Sequence, residues 1–120
     1  MQYLLLIYDK EGDWNKLSEA DQATMYKEYG EFTQSITKSG HFKAGHQLQP
    51  IATATTVRMR DKKRLVTDGP FAETKEQLGG FYMIEAKDLD DAIDVAARIP
   101  SARFGSIEVR PIVVHGQVSS

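Results

Sequence analysis

The sequence predicts an α+β fold, one antiparallel sheet with helices packed on a single face. Three observations carry that expectation. Residues 2–8 and 81–86 are strand-like runs that are apolar on both parities. Two stretches, one from Ser18 to Ser39 and one from Asp88 to Pro100, place apolar residues at helical spacing. Between them lies an alternating pair of short strands around Asp61-Lys62-Lys63.

The first strand is Gln2-Tyr3-Leu4-Leu5-Leu6-Ile7-Tyr8. Residues 9–16 read as a linker, with Trp14 packing over a helix end. Ser18 is an N-cap with Asp21 three residues on, an imperfect capping box. Met25, Tyr29, Phe32 and Ile36 then mark one helical face, and Gly40 stops the helix. Residues 42–48 alternate, with Phe42, Ala44, His46 and Leu48 on one side, and Pro50 ends the strand. Residues 53–60 alternate again, and Arg64-Leu65-Val66-Thr67 returns as the hairpin partner. A turn-rich stretch, 68–80, leads to the strand at Phe81. Asp88 caps the second helix, whose expected stripe is Leu89, Ala92, Ile93 and Ala96, and Pro100 ends it. The last strand spans 106–114, and Pro111 inside it requires an edge position or a bulge.

The order is β-α-β, a hairpin excursion, then β-α-β. This is the split βαβ pattern of a ferredoxin-like sandwich. Two helices cover only one sheet face, yet strands 2–8 and 81–86 are apolar on both. The simplest cover for the second face is another copy of the chain, giving a homodimer through the sheet faces.

Composition bounds the function. At 120 residues the chain reads as one domain, 1–120, with a core to about residue 114 and a loose tail over 115–120. Hydrophobic residues make up 41%, enough for a core without covalent staples. There is no cysteine, which removes disulfides, thiolate metal sites and cysteine nucleophiles. Net charge is −2 with no obvious basic stripe, so nucleic acid is not an expected partner. The apolar run 3–8 is too short for a signal core or a membrane span. The expectation is a cytoplasmic protein without membrane contact.

The stretch Asp68-Gly69-Pro70-Phe71-Ala72-Glu73-Thr74-Lys75-Glu76-Gln77-Leu78-Gly79-Gly80-Phe81-Tyr82 carries the most information. Gly69-Pro70 sets a turn. Phe71 is apolar among polar residues and fits a pocket or an interface. Gly79-Gly80 permits close backbone approach where the next strand begins.

This run resembles the signature of the DGPF branch of the YCII-related proteins. Residues 3–8, Leu48-Gln49-Pro50, 53–58 and 106–111 are similar to the family pattern too, so the resemblance spans about residues 1–114. It implies a ferredoxin-like domain that dimerises through its sheets into an α/β barrel. It implies a bacterial protein, in some members linked to extracytoplasmic-function sigma factors. In the wider group a His–Asp pair in the barrel cleft is the suggested acid–base machinery. Asp68 matches the family motif. The histidines here are His41, His46 and His115, none of them on the first helix.

The candidate residues each have two readings. Asp68 is either an Asx-type turn former or a carboxylate at the cleft between protomers. His46 is either a satisfied core histidine or a pocket group that shuttles a proton with Asp68. Arg58, Arg60, Arg64 and Arg110 either line a solvated strand face or bind a carboxylate or phosphate; Arg58 and Arg110, with Phe71, are the ligand-binding candidates. Glu73 and Lys75 read as surface or interface residues, and Tyr26, Tyr29 and Phe32 as core packing. No metal ligand set and no cofactor loop is present in the pattern. Two functions stay open. One is a cofactor-independent small-molecule enzyme with Asp68 and His46 as its acid–base pair. The other is a non-catalytic ligand-binding or regulatory accessory module.

Overall fold

Strand β1 (Gln2–Asp9) is the centre of the molecule in a computed structural model that describes residues 1–115. Its parity decides the layers. Tyr3, Leu5 and Ile7 are buried under the helices, while Leu4, Leu6 and Tyr8 lie half-buried on the opposite face. Helix α1 (Glu11–Asn15) follows, a single turn not anticipated within the linker. Helix α2 (Glu19–Lys38) begins at Ser18, whose hydroxyl accepts from the Asp21 N–H at 3.1 Å, and buries Met25, Phe32 and Ile36. Strand β2 (Phe42–Gln47), strands β3 (Thr55–Arg60) and β4 (Lys63–Asp68), and strand β5 (Gln77–Glu85) come next. Helix α3 (Leu89–Ala97), a 3₁₀ turn at Pro100–Arg103 and strand β6 (Ser106–Pro111) complete the order.

The main sheet runs β2-β5-β1-β6, antiparallel throughout. The fold is thus α+β with an antiparallel sheet, compatible with a ferredoxin-like arrangement. Pro111 sits at the end of β6, an edge strand, where a missing N–H breaks no ladder. The core gathers Leu5, Ile84, Ile36, Val95 and Ile99 between sheet and helices. Strands β3 and β4 pair only with each other and form a separate two-stranded ribbon. Its turn uses positive φ at both Asp61 and Lys62, which matches the right-handed strand twist.

Three expectations are corrected. Phe42 and His46 do not share a face. A β-bulge between Phe42 and Ala44 shifts the register, so Phe42 lies opposite Ile84 and His46 opposite Phe81. In α3, Leu89 and Ile93 are exposed; the buried stripe is Ala92, Val95, Ala96 and, past the helix, Ile99. At about 100° per residue, Ile93 stands a quarter-turn away from Ala92, off that stripe. Strand β5 starts at Gln77, not Phe81, because Asp9 and Tyr8 extend the β1 pairing to Gln77 and Leu78. Beyond His115 the expected loose tail lies outside the described residues.

The sheet face away from the helices carries Ala44, Leu4, Leu6, Phe81 and Met83, with Glu108 and Arg110 on the edge. No helix of the chain is long and apolar enough to cross a membrane among the described residues.

Candidate functional site

The end of β1 builds the site. Tyr8 and Asp9 run past a bulge at Gly79 in β5, where the register shifts. From the other side, the turn that follows Pro100–Arg103 presses onto the same strand end. A side chain at Gly105 would collide with the Tyr8 carbonyl oxygen, so only glycine lets the two segments meet. Ser101 is thereby buried beside the strand end, and its hydroxyl bonds the Tyr29 hydroxyl at 2.5 Å. Gly80 has a similar role deeper in the sheet. A Cβ there would stand 2.8 Å from the His46 carbonyl oxygen of β2.

These segments border a cavity of about 550 Å³, within the range of small-molecule sites. Trp14 and Tyr26 form one wall, edge to face at 5.3 Å between centroids. Phe104 supplies further aromatic surface, and Leu48 and Pro50 the apolar rim. The polar groups on the lining include Asp9, Glu11, Tyr29, Ser101 and His46. Glu11 is held in place by the Ile51 N–H, which donates to its carboxylate at 2.9 Å.

Asp9 is electrostatically the most unusual of them. Burial pushes its carboxyl above the ordinary value, and the negative charge of Glu76, with that of Glu11 and Asp13, pushes the same way; the Ser101 hydroxyl acts against them. Burial also raises the Tyr29 phenol, offset by its bond to Ser101. A carboxyl whose proton affinity is raised beside apolar rings can give or take a proton from a bound molecule. β2 brings His46 to the border of the same cavity, with its ring edge-on to Phe81 at 5.8 Å on the sheet face away from the helices.

The other anticipated residues are placed elsewhere in a single chain. Asp68 closes β4 opposite Thr55, exposed, and is not among the cavity-lining residues. After it, Gly69 takes φ +97°, a conformation that favours glycine, and donates to the Ala54 carbonyl at 2.7 Å. Phe71 is 78% exposed. Arg58 is exposed on the ribbon, and Arg110 is exposed on β6 opposite Leu4. Tyr26 and Tyr29, read from the sequence as core, are respectively exposed and half-buried at the cavity; only Phe32 of that cluster is core. Asp9, Tyr29 and Ser101 were not singled out as site residues by sequence reasoning. The available signal was an acid at the end of a strand apolar on both faces, since strand ends feed concave sites.

His41 stands outside the cavity. Its Nδ1 is 2.6 Å from the Ser39 hydroxyl and its Nε2 3.1 Å from both Asp91 carboxylate oxygens, tying the end of α2 to the start of α3. A shallower depression of about 320 Å³ lies between α2 and Pro100–Arg103. Its arginines are engaged within the chain. Arg103 pairs with Glu28 at 2.9 Å, and Arg98 bonds Ser35 and lies over the Phe32 ring. Among the described residues no three His, Asp or Glu side chains gather at metal-binding geometry.

The chain is 34% identical over 117 residues to an uncharacterised protein of Rhizobium meliloti (strain 1021), covering 96% of this chain and 94% of that one. The model of the YCII-related domain matches residues 1–115, a span that takes in every strand and helix described above as well as the cavity between them. On that near-complete match the chain belongs to the YCII-related domain family.

Proposed function

We propose that the protein is a cofactor-independent enzyme that moves a proton on a small, largely apolar molecule held in the Asp9 cavity. The observation that carries this is Asp9 itself, raised by burial and neighbouring acids on the wall of an aromatic cavity. In this reading Asp9 is the proton carrier and the Tyr29–Ser101 pair orients a substrate oxygen. His46 is the second titratable group. The aromatic rings select a flat substrate and exclude water, which strengthens every charge inside.

The same reading assigns the chain to the DGPF branch, on the run beginning Asp68-Gly69-Pro70-Phe71, and to the cytoplasm. It pairs two chains through their open sheet faces as an α/β barrel. Support comes from Leu4, Leu6, Phe81 and Met83, which lie on a face that no element of the described chain covers. Asp68, with Arg58, Phe71 and Arg110, then enters the site through the cleft between protomers, with Asp68 the partner of His46.

The test is a carboxyl-carbon NMR titration with p-cresol and cyclohexanone as probes. Asp9 should titrate above the ordinary aspartate value, both probes should shift the Trp14 indole signal, and Asp9→Asn should still bind them. An Asp9 that titrates like a free aspartate overturns the acid–base reading. The cavity wall is mostly apolar, which favours a second reading as a ligand-binding accessory module. That reading wins if probes bind while Asp9→Asn and the wild type exchange a probe's α-protons equally slowly.

A further inference from the structure

We propose that the β3–β4 ribbon is a clasp that grips a second copy of this chain. The proposal rests on the sheet-to-sheet pairing above and adds a separate contact to it. An isolated two-stranded ribbon is marginal in water. This one presents Val57 at 59% exposure, Val66 at 58% and Met59 at 58%. The register puts these three on one face, because Val57 lies opposite Val66 and Met59 opposite Arg64. The reverse face carries Arg58, Arg60 and Lys63 with Leu65. One face of the ribbon thus groups Val57, Val66 and Met59 beside Arg64, and nothing in its own sheet covers it. The radius of gyration is 16.7 Å. A compact chain of this length has about 14 Å.

Charge decides the occupant. Thr55–Asp68 holds five basic residues and two acidic ones, a net +3 in a chain of net −2. The remainder of the molecule therefore carries −5. None of the ribbon's cations is in an ion pair among the described residues. Nor are Asp9 and Glu11 on the cavity wall, or Asp13 and Glu76, whose charges act on Asp9. A second copy offers both complements, an acidic body for the cations and, apart from the paired sheet faces, the exposed apolar rim of Leu48 and Phe104 beside Asp9 and Glu11. In a two-fold dimer each ribbon meets the other body, so the contact is made twice. A polyanion such as nucleic acid would gain from the cations but would face the acidic body and leave the apolar side bare.

The experiment compares the wild type with Val57→Ser/Val66→Ser and with Arg58→Ser/Arg60→Ser/Arg64→Ser by sedimentation equilibrium. Circular dichroism checks that each is folded. Because the chain has no cysteine, Val66→Cys also accepts a single benzophenone label. The wild type should dimerise, each ribbon variant should weaken the dimer by roughly tenfold or more, and the label should crosslink to the other chain. The arginine effect should shrink at high salt. A variant dimer within about threefold of wild type, or crosslinks confined to one chain, overturns the clasp and leaves the sheet pairing standing. A monomeric wild type at about 100 μM removes both. A fluorescent DNA duplex bound by the wild type at about 0.15 M salt and released by the arginine variant also overturns the clasp, making the ribbon a nucleic-acid arm.

Discussion

The four-stranded sheet and the β3–β4 ribbon are built from the same kind of sequence and meet opposite fates. Both carry Val, Leu, Ile or Met along their strands. In the sheet, Leu5 and Ile84 are fully buried because α2 and α3 lie across them. In the ribbon, Val57 and Val66 face outward because no helix follows either strand. Strand patterning therefore tells which residues share a face, but not whether anything covers that face. Coverage comes from connectivity, and the ribbon's connections are turns alone.

The largest effect should come from Leu5→Ala. It empties a fully buried site and should cost roughly 2–5 kcal/mol by urea denaturation. Val66→Ala, measured at high dilution, should stay within about 0.5 kcal/mol. If the two costs come out alike, the ribbon is already packed within one chain and the contrast between the regions collapses.

Next in size is a comparison of adjacent glycines where β5 enters the sheet. Gly80→Ala drives a methyl group to 2.8 Å from the His46 carbonyl and should cost about 1–3 kcal/mol. Gly79→Ala finds only an ordinary contact, 3.7 Å from an Asp9 carboxylate oxygen, and should cost less. Neither has a positive φ, so the difference isolates strand-to-strand spacing from backbone strain. Equal melting temperatures for the two variants would show that β2 can move away, as a loosely held edge strand does. A smaller loss, about 1 kcal/mol, is expected for Asp88→Ala, which removes the side chain that accepts from the Asp91 N–H at 2.9 Å and starts α3.

The smallest effects concern pH, and the two aspartates should act with opposite sign. The Asp9 carboxyl is raised in the folded state, so the native protein binds its proton more tightly than the unfolded chain. Stability from this group is greatest below its ordinary value and falls as pH rises through the raised one. Asp9→Asn should therefore gain stability relative to wild type at neutral pH and not in acid. Asp91 is lowered, chiefly by the Lys87 backbone N–H, then by His41. Its contribution is present above the ordinary carboxylate value and lost as pH falls through the lowered one. Asp91→Asn should lower the melting temperature at neutral pH and leave it nearly unchanged in strong acid. Parallel pH profiles for the two variants would mean that burial at Asp9 does not control its charge.

Much of the fold was legible. Ser18 and Asp88 start their helices as their side chains dictate, because a hydroxyl or carboxylate near a free helix N–H is a local matter. The sequence put His46 on the same side of its strand as Phe42, and the structure puts it on the other. One extra residue at the bulge reverses parity, and nothing in Phe42-Lys43-Ala44 announces it. Asp9 was passed over as linker. Its proton affinity depends on Ser101, Glu76 and the burial that distant segments impose, and those neighbours are far away along the chain.

By itself the sequence determined the two long helices, most of the strands and the presence of two apolar faces, because capping, periodicity and turn chemistry act over a few residues. Only the tertiary structure decided where the cavity lies, which acid stands in it and which apolar strands remain uncovered. Those depend on contacts between residues such as Tyr29 and Ser101, 72 positions apart, which local physics does not reach.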